Sequence, residues 1–368
     1  MTAATKDSAM NSGSDARDDV ILEIRDLEVT FHGDDGSVQA ADRVSFTVRR
    51  GETVAVVGES GSGKSASVLA VLQLLPRSGN VEVRGSVRLD GRELLDADRR
   101  TLRAVRGGAV AMIFQDPMTS LNPVVRVGKQ LVEMLREHRY PGGRRAAERR
   151  AVELLRVVGI PQPELRMRQF PHEFSGGMRQ RVMIAMAIAN EPSLLIADEP
   201  TTALDVTIQA QVLDVLRDAK AATGAAAIVI THDLGVVAEL ADTVVVMYGG
   251  RVVETGSAEE IFAAPRHPYT IGLMAGLPRL DADVDRLVPI PGSPPNLADP
   301  PPGCRFHPRC TLRAGRDVCA TETPELREIA AGRRSACHFT EEISAEETAA
   351  EAARVSELTG VPLTGDGR

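Results

Sequence analysis

The sequence has no excess of basic residues and no long apolar run, and both absences limit what the protein can do. Its 43 Lys and Arg residues are outnumbered by 51 Asp and Glu residues, which gives a net charge of −8. No broad basic surface therefore indicates binding to nucleic acid. No apolar stretch reaches the roughly 20 residues that a membrane-spanning helix needs.

The first residues also lack the apolar segment of a secretory signal peptide. The polar composition of residues 1–19 predicts a disordered leader, and the missing signal predicts a cytosolic protein. Residues 341–368 are acidic and rich in alanine, which predicts a solvated tail.

Cysteine is scarce and unevenly distributed, since the chain has four and all lie between Cys304 and Cys337. Because cytosolic thiols stay reduced, a disulfide framework is disfavoured. The 5, 8 and 17 residues between successive cysteines are looser than the pairs of zinc ribbons and differ from the common ferredoxin runs, so spacing alone identifies no metal. The clustering, the even count and the proline-rich surroundings favour one centre held by four thiolates. Uncomplexed or disulfide-linked thiols remain the alternative.

Short apolar strands alternate with helices over most of the chain. Strand patterns appear at VILEIRDLEVTF, VSFTV and ETVAVVG, and they return at SLLIADE and AAAIVITHD, with a helical stretch between. Residues 121–190 carry mainly helical signals. The alternation predicts an α/β fold with a mostly parallel sheet and crossover helices. Beyond Ser257 the prolines predict irregular chain instead of a continuing sheet.

The segment GESGSGKS matches the phosphate-binding pattern G-x-x-x-x-G-K-[ST] and lies between a strand and a helix. Its glycines allow backbone conformations that a Cβ atom forbids, so that the amide groups of the loop turn towards phosphate oxygens. The predicted members of this loop are Gly58, Glu59, Ser60, Gly61, Ser62 and Gly63. Lys64 would neutralise the β- and γ-phosphates of ATP, and the Ser65 hydroxyl would hold Mg²⁺.

The second half of such a site is a carboxylate at the end of a buried strand, and SLLIADE supplies two. We predict that Asp198 binds the Mg²⁺ and that Glu199 polarises the attacking water.

Between these halves lies EFSGGMRQR, Glu173–Arg181, which resembles the signature motif of ATP-binding cassette (ABC) ATPases. Further motifs of that family appear along the chain in the family's order, and the resemblance covers roughly residues 21–257. They are the Q-loop glutamine Gln115, the D-loop aspartate Asp205, the switch histidine His232 and, as the candidate for the aromatic residue that stacks on adenine, Phe31.

The resemblance implies a P-loop NTPase (RecA-like) core with a mostly parallel sheet, an inserted helical subdomain and a small Pro/Cys-rich C-terminal extension. The predicted units are a leader at 1–19, an ATPase core at 20–119 and 191–257, a helical subdomain with the signature motif at 120–190, an extension with the four-cysteine site at 258–340, and an acidic tail at 341–368.

The resemblance also implies that the signature residues act on a neighbouring molecule. Ser175, Gly176 and Gly177 begin a helix and are implied to contact the γ-phosphate that a partner's P-loop holds, so that two cassettes pack head to tail around ATP. The motif has Phe174 where Leu is commonest and Met178 where Gln is commonest. Neither departure replaces the serine or the two glycines of the motif.

Two further roles follow from the same resemblance. Gln115 is implied to touch Mg²⁺ and the attacking water, and its loop leads into the helical segment, where it would couple nucleotide state to movement. His232 is implied to contact the γ-phosphate and to stabilise the charge of the transition state.

The chain after the cassette is similar to the oligopeptide/dipeptide importer branch of the family. His267, Pro268 and Tyr269 match its HPY element, and IPGSPPNL and GCRFHPRC match its C-terminal extension. QDPMTSLNP, which begins at Gln115, is likewise similar to that branch.

This similarity implies the ATP-hydrolysing subunit of a bacterial ABC importer of di- and oligopeptides, with no nucleic acid involved. The implied partners are two transmembrane permease subunits, an extracytoplasmic substrate-binding protein and a second ATP-binding cassette, which we expect to be a different chain. The permeases would hold the protein at the cytoplasmic face of the cell membrane. The alternatives are another cargo, such as nickel or a sugar, and a soluble ABC-type regulatory ATPase.

Some related importer ATPases hold a [4Fe–4S] cluster with cysteines in this extension, and Cys304, Cys310, Cys319 and Cys337 resemble that set. The resemblance therefore implies a cluster of structural importance, with zinc as the alternative metal. His307 and His338 flank the cysteines, and we expect them to be bystanders.

Overall fold

The computed structural model describes residues 19–34, 36–76, 79–115, 120–202, 205–275, 290–313 and 316–343. The predicted leader and acidic tail lie almost wholly outside the described residues. Within the described ranges, every helix is too short or too polar to cross a membrane.

The chain alternates strands and helices, as the sequence predicts. The strands are β1 (Val20–Gly33), β2 (Gly36–Arg49), β3 (Thr53–Val57), β4 (Val81–Leu89), β5 (Arg92–Glu93), β6 (Val110–Ile113), β7 (Leu194–Asp198), β8 (Ala226–Thr231), β9 (Thr243–Tyr248), β10 (Arg251–Ser257), β11 (Arg327–Ala330) and β12 (Arg333–Ser335).

The helices lie between and after these strands. They are α1 (Lys64–Val71), α2 (Arg99–Val105), α3 (Val127–Glu137), α4 (Gly143–Val157), α5 (Pro163–Arg166), α6 (Gly176–Ile188), α7 (Val206–Thr223), α8 (Leu234–Leu240), α9 (Ala258–Ala263), α10 (Pro268–Ala275) and α11 (Val318–Thr321).

The main sheet has the strand order β11-β12-β10-β9-β3-β8-β7-β6. Its centre is parallel, because β3 pairs with β8 and β9, and β7 pairs with β6 and β8, all in the same direction. All residues of β3, β7 and β8 are buried, which explains their continuous apolar sequences. This architecture confirms the α/β prediction.

A separate antiparallel sheet of order β2-β1-β4-β5 packs beside the main sheet. Its buried positions alternate along β1 and β2, as expected of strands with one buried face. Side chains such as Ile24, Val44 and Val87 join the residues of β3 and α1 in one hydrophobic core.

The helices between β6 and β7 share a core with the far side of the main sheet. Leu131 of α3, Leu154 of α4 and Val182 of α6 lie in one cluster with Ile113 and Leu195 of the sheet. The apolar spacing of α4 places Ala147, Ala151, Leu154 and Leu155 on the buried face, and its arginines lie outside that face. Arg144, Arg145 and Arg149 are exposed to solvent, whereas Arg150 is only 22% exposed and pairs with Glu191.

The prediction of irregular chain beyond Ser257 is wrong in one respect. Strands β11 and β12 extend the main sheet, and β12 pairs antiparallel with β10 through Glu254–Ser335 and Thr255–Arg334. Both strands are short and carry charged residues in place of an apolar alternation, so the sequence gives no strand signal. The backbone groups at the β10 edge supply the pairing partners instead.

Candidate functional site: the P-loop and the cysteine pocket

The loop between β3 and α1 has the backbone that the glycines predict. Gly58, Gly61 and Gly63 all have positive φ values, of 152°, 77° and 95°. A Cβ atom at Gly58 would lie 2.1 Å from the Met247 carbonyl oxygen, and one at Gly63 would lie 2.0 Å from the Ala40 carbonyl oxygen. Glycine is therefore required at both positions, because the loop packs directly against neighbouring backbone.

Lys64 begins α1 and turns its side chain back into the loop. Its Nζ atom donates to the carbonyl oxygens of Gly58 at 2.8 Å and Glu59 at 2.9 Å. Burial lowers the pKa of Lys64, and the carboxylates of Glu199, Asp198 and Glu59 oppose that shift. A buried ammonium group bonded to neutral carbonyls, with carboxylates nearby, is suited to receive phosphate oxygens.

The Ser65 hydroxyl and the Asp198 carboxylate meet across the end of the parallel strands. Ser65 Oγ donates to Asp198 Oδ1 at 3.0 Å, although 133 residues separate them in the sequence. Burial raises the pKa of Asp198, and the hydrogen bond from Ser65 acts against it. Two oxygen ligands at one point form the hard donor set that Mg²⁺ prefers.

Glu199 is the centre of the predicted catalytic group. Gln115 Nε2 donates to Glu199 Oε2 at 2.9 Å, and His232 Nδ1 lies 3.4 Å from Glu199 Oε1. Glu199 itself has a φ of 46°, a strained conformation for a residue with a side chain, of the kind found at functional sites. The three residues named from separate motifs are thus in contact.

Thr202 is a member of this group that the sequence analysis missed. Its Oγ1 atom donates to Glu199 Oε2 at 2.8 Å. The signal was present, because Thr202 follows Glu199 by three residues in the segment that ends at Asp205. A tight turn after a strand brings such a hydroxyl back towards the carboxylate.

The remaining motif residues lie apart from this group. Ser175 and Asp205 each cap a helix, with Ser175 Oγ accepting from Met178 N at 3.3 Å and Asp205 Oδ1 accepting from Ile208 N at 3.0 Å. Ser175 and Gly176 are exposed at the start of α6, whereas Gly177 packs against Ile208 of α7.

Phe31 is half-buried on β1, where it pairs with Val38 and Val81 and packs against the core of the antiparallel sheet. Its predicted contact with adenine stays a prediction.

The four cysteines are brought together by the extension. Cys304, Cys310, Cys319 and Cys337 line one small pocket, and its other walls are His267, Pro268, Phe306, His307, Leu312, His338 and Phe339. None of the four thiols is joined in a disulfide. The predicted convergence is therefore present in the structure, and the pocket wall is largely apolar and aromatic.

The histidines of this pocket are engaged with other groups. His307 Nδ1 donates to the Cys304 carbonyl oxygen, and His338 Nε2 donates to the Glu322 carbonyl oxygen, both at 2.9 Å. Complete burial lowers the pKa of His267 to about 3, so this ring is neutral. These contacts fit the prediction that the two flanking histidines are bystanders.

The structure does not support the predicted metal beyond this convergence. Across the described ranges, no group of three or more His, Cys, Asp or Glu side chains is arranged to hold a metal ion. Burial raises the pKa of the Cys304 thiol and raises that of Cys337 to about 11, which favours the protonated form of both thiols. The set of four thiols nevertheless has the soft donor chemistry of an iron–sulfur or zinc site.

Two parts of the chain match known families. Residues 41–202 match the ABC transporter family, and residues 253–319 match the oligopeptide/dipeptide transporter C-terminal region. The first match includes the P-loop and both carboxylates, and the second includes the HPY element and three of the four cysteines.

Close relatives extend the similarity over most of the chain. The oligopeptide transport ATP-binding protein OppD of Mycobacterium tuberculosis is 56% identical over 322 residues, which cover 87% of this chain and 52% of that protein. OppD of Salmonella typhimurium is 50% identical over 318 residues, covering 86% of this chain and 93% of that protein. The chain thus spans about half the length of the mycobacterial relatives and nearly all of the enterobacterial one.

A solved structure supports the fold. The dimeric, post-hydrolysis ATP-binding cassette MJ0796, bound to ADP and Pi, superimposes with a TM-score of 0.57 and 25% sequence identity. The match covers 64% of this chain and 98% of that one. The part without a counterpart there is of the size expected for the C-terminal extension and the two ends.

Proposed function

Because the chain belongs to the ABC transporter family of ATP-binding subunits, in its oligopeptide/dipeptide branch, we propose that it hydrolyses ATP to energise the uptake of di- and oligopeptides. One observation carries the proposal of hydrolysis: Glu199 is held by Gln115, Thr202 and His232 beside the pair formed by Ser65 and Asp198. A carboxylate in that position can serve as a base for water.

Each residue of the site would have a separate role in hydrolysis. The P-loop amides and Lys64 would bind the phosphates, and Ser65, Asp198 and Gln115 would hold Mg²⁺, which would neutralise charge at the β- and γ-phosphates. Glu199 accepts a proton from the water whose oxygen attacks the γ-phosphorus. The bond from that phosphorus to the bridging oxygen breaks, ADP leaves, and His232 stabilises the developing charge.

The exposed signature residues support a second cassette as a partner. Ser175 and Gly176 lie at the N-terminus of α6, where backbone amide groups and the helix dipole favour an anion, and both residues are exposed. We propose that they complete the nucleotide site of a neighbouring cassette, which we expect to be a different chain, and that the neighbour completes this one.

A cavity beside Gln115 supports contact with a permease subunit. It encloses about 300 Å³ between β6, α3 and α6, and its apolar wall includes Phe114, Met134, Met183 and Met186. Phe114 is 42% exposed and directly precedes Gln115. Methionine-rich grooves accept the apolar face of a helix, and we propose a cytoplasmic helix of the permease as the occupant.

This contact would hold the protein at the cytoplasmic face of the membrane, while an extracytoplasmic binding protein delivers the cargo. The names of the relatives favour oligopeptides over nickel or sugars. Copurification with two permease subunits would also separate a transporter subunit from a soluble regulatory ATPase.

The substitution Glu199→Gln tests the proposed role of Glu199 in hydrolysis. We expect Mg-ATP to remain bound while hydrolysis falls by about 10²–10⁴-fold, because the amide cannot accept the proton. Phosphate release and nucleotide retention measure the two effects. Hydrolysis at the wild-type rate would contradict the assignment of the base.

The permease contact is tested by Phe114→Glu, with Val157→Glu as the matched control. Both side chains are exposed to a similar degree, 42% and 43%, but Val157 ends α4 away from the cavity. We expect only Phe114→Glu to abolish copurification with the permeases. Equal retention by both variants would contradict this docking site.

We also propose that the four cysteines hold a [4Fe–4S] cluster, on the strength of their convergence on one apolar pocket. The cluster would link the turn around Cys304 and Cys310, helix α11 and the segment after β12. Anaerobic purification, an absorption spectrum near about 400 nm and assays of iron and zinc distinguish a cluster from zinc and from uncomplexed thiols. A colourless protein without iron would exclude the cluster.

A further inference from the structure

The extension makes a direct contact with the P-loop through Arg309, which lies in the GCRFHPRC segment but was given no role from the sequence. The side chain of Arg309 is 5% exposed. Its Nη1 and Nη2 atoms donate to the two carboxylate oxygens of Glu59 at 2.6 and 3.0 Å. The pair spans 250 residues of sequence and has the two-pronged geometry that makes arginine–carboxylate contacts strong and directional.

The rest of the guanidinium is fixed by the extension and by β9. Arg309 Nε donates to the Pro291 carbonyl oxygen at 2.8 Å, and Nη2 donates to the Ile290 carbonyl oxygen at 3.0 Å. Nη1 also donates to the Tyr248 hydroxyl at 3.3 Å, and the guanidinium lies against the rings of Tyr248 and Phe306. Because the donors are satisfied in one geometry, Arg309 can hold Glu59 in one position.

Tyr269 holds the backbone of the same residue. Its hydroxyl oxygen accepts a hydrogen bond from the Glu59 amide at 2.8 Å, and its ring is fully buried against Tyr248 and Phe306. Burial raises the pKa of Tyr269, so the hydroxyl stays neutral at physiological pH. Glu59 is thus held from the extension at its side chain by one residue and at its backbone by another.

Glu59 in turn sets the shape of the P-loop. Its carbonyl oxygen accepts from Lys64 Nζ at 2.9 Å and from the Ser62 amide at 3.2 Å. A shift of Glu59 would therefore move the ammonium group and the amides that meet the phosphates. No other segment of the described chain is seen to hold both the backbone and the carboxylate of this residue.

We propose that Arg309 and Tyr269 are positioning residues for the nucleotide site, which fix the P-loop in its phosphate-binding shape by holding Glu59. The proposal rests on the proposed function, since it presupposes that the loop binds Mg-ATP. It adds that affinity for the nucleotide depends on a contact made by the C-terminal extension.

The test compares full-length variants by calorimetric titration with Mg-ATP and by hydrolysis at saturating Mg-ATP. Arg309→Met and Tyr269→Phe should each raise the Kd by about tenfold, with a smaller change in the saturated rate, because Lys64 and Glu199 are retained. Arg309→Lys should recover part of the affinity. The double variant of Arg309→Met with Glu59→Gln should bind no more weakly than the weaker single variant, because both changes break one contact.

Arg316→Met is the matched control. Arg316 forms an ion pair with Glu342 at 2.6 Å inside the same extension, so its loss disturbs the extension without touching Glu59. The Kd of the Arg316→Met variant for Mg-ATP should stay within about twofold of the wild-type value. A Kd raised as much as in Arg309→Met would overturn the proposal, because general loosening would then explain the effect.

Thermal unfolding shows whether each variant is folded. If Arg309→Met does not fold, the proposal is tested with Glu59→Gln and Tyr269→Phe. Wild-type affinity for Mg-ATP in both of these variants would overturn the proposal. Failure of the wild-type protein to bind Mg-ATP would instead contradict the proposed function, so the two failures are distinguishable.

Discussion

The nucleotide site and the cysteine pocket both gather residues that are far apart in the sequence, but they do so by different means. At the nucleotide site, Asp198 ends strand β7 of the parallel sheet. Lys64, Gln115 and His232 follow the strands β3, β6 and β8, and the sheet brings those strand ends together. At the cysteine pocket the four residues come from turns, the short helix α11 and the segment after β12. The residues of the first site are positioned by the backbone hydrogen bonds of the sheet. Those of the second site are held together mainly by side-chain contacts.

This difference has a consequence for robustness. A parallel sheet with fully buried strands positions the carboxyl ends of its strands whether or not ligand is present. The extension contributes one buried aromatic cluster and two short edge strands, so a central cross-link would contribute much of its stability. Glu59 is where the two regions meet.

The largest expected effect tests whether backbone alone determines the nucleotide site. In Gly63→Ala the new Cβ atom would lie 2.0 Å from the Ala40 carbonyl oxygen, at a φ of 95°. We expect loss of Mg-ATP binding and a fall of at least about 4 kcal/mol in the free energy of unfolding, measured by titration and by denaturant unfolding.

Gly61→Ala is the control for that variant. Gly61 has a φ of 77°, but a Cβ atom there meets nothing within 4 Å. Only the conformational cost of about 1–2 kcal/mol should appear. Equal losses in the two variants would show that packing of the loop against its neighbours is unimportant.

An intermediate effect is expected at the cysteine pocket. If the four thiols hold one cluster, replacing any one by serine should give the same loss, of about 2–4 kcal/mol, in the stability of the extension. Limited proteolysis of residues 290–343 measures it. If the loss of stability is instead far larger for the buried Cys319 than for the half-buried Cys310, each cysteine contributes through its own packing. That result would contradict a shared centre.

The smallest effect is expected for a single side chain within the nucleotide site. Thr202→Val removes the hydroxyl that donates to Glu199 but keeps the shape of the side chain. We expect the rate of hydrolysis to fall about tenfold, or about 1.4 kcal/mol in activation free energy, with unchanged Kd for Mg-ATP. Thr202→Ser should restore the rate, and a failure to do so would mean that the methyl group matters instead.

The sequence predicted much of the nucleotide site because its motifs are local. A strand, a glycine loop and a helix form one continuous segment, so Gly58, Gly63 and Lys64 could be given roles from spacing alone. Asp198 and Glu199 could be joined to that loop because they end a buried strand, whereas Gln115 and His232 were placed with them only by the resemblance to the ABC family. The contact of Thr202 with Glu199 was not predicted, because it depends on the turn that follows Glu199.

The extension was harder to predict for a physical reason. Its strands β11 and β12 have no apolar alternation, and they form because β10 offers an unpaired edge. The clustering of the cysteines predicted their convergence, but the choice of metal remains a proposal. Arg309 lies in the matched segment GCRFHPRC, but nothing in that segment indicates Glu59 as its partner, because the contact requires the extension to fold back onto the P-loop.

By itself, the sequence determined the fold class, the glycine loop before α1 and the two carboxylates that end β7, because strand periodicity and glycine spacing are short-range properties. Only the tertiary structure decided that the extension joins the main sheet, that the thiols share an apolar pocket, and that Arg309 and Tyr269 hold Glu59. These are contacts between segments up to 250 residues apart, and no local pattern encodes a partner that lies at such a distance.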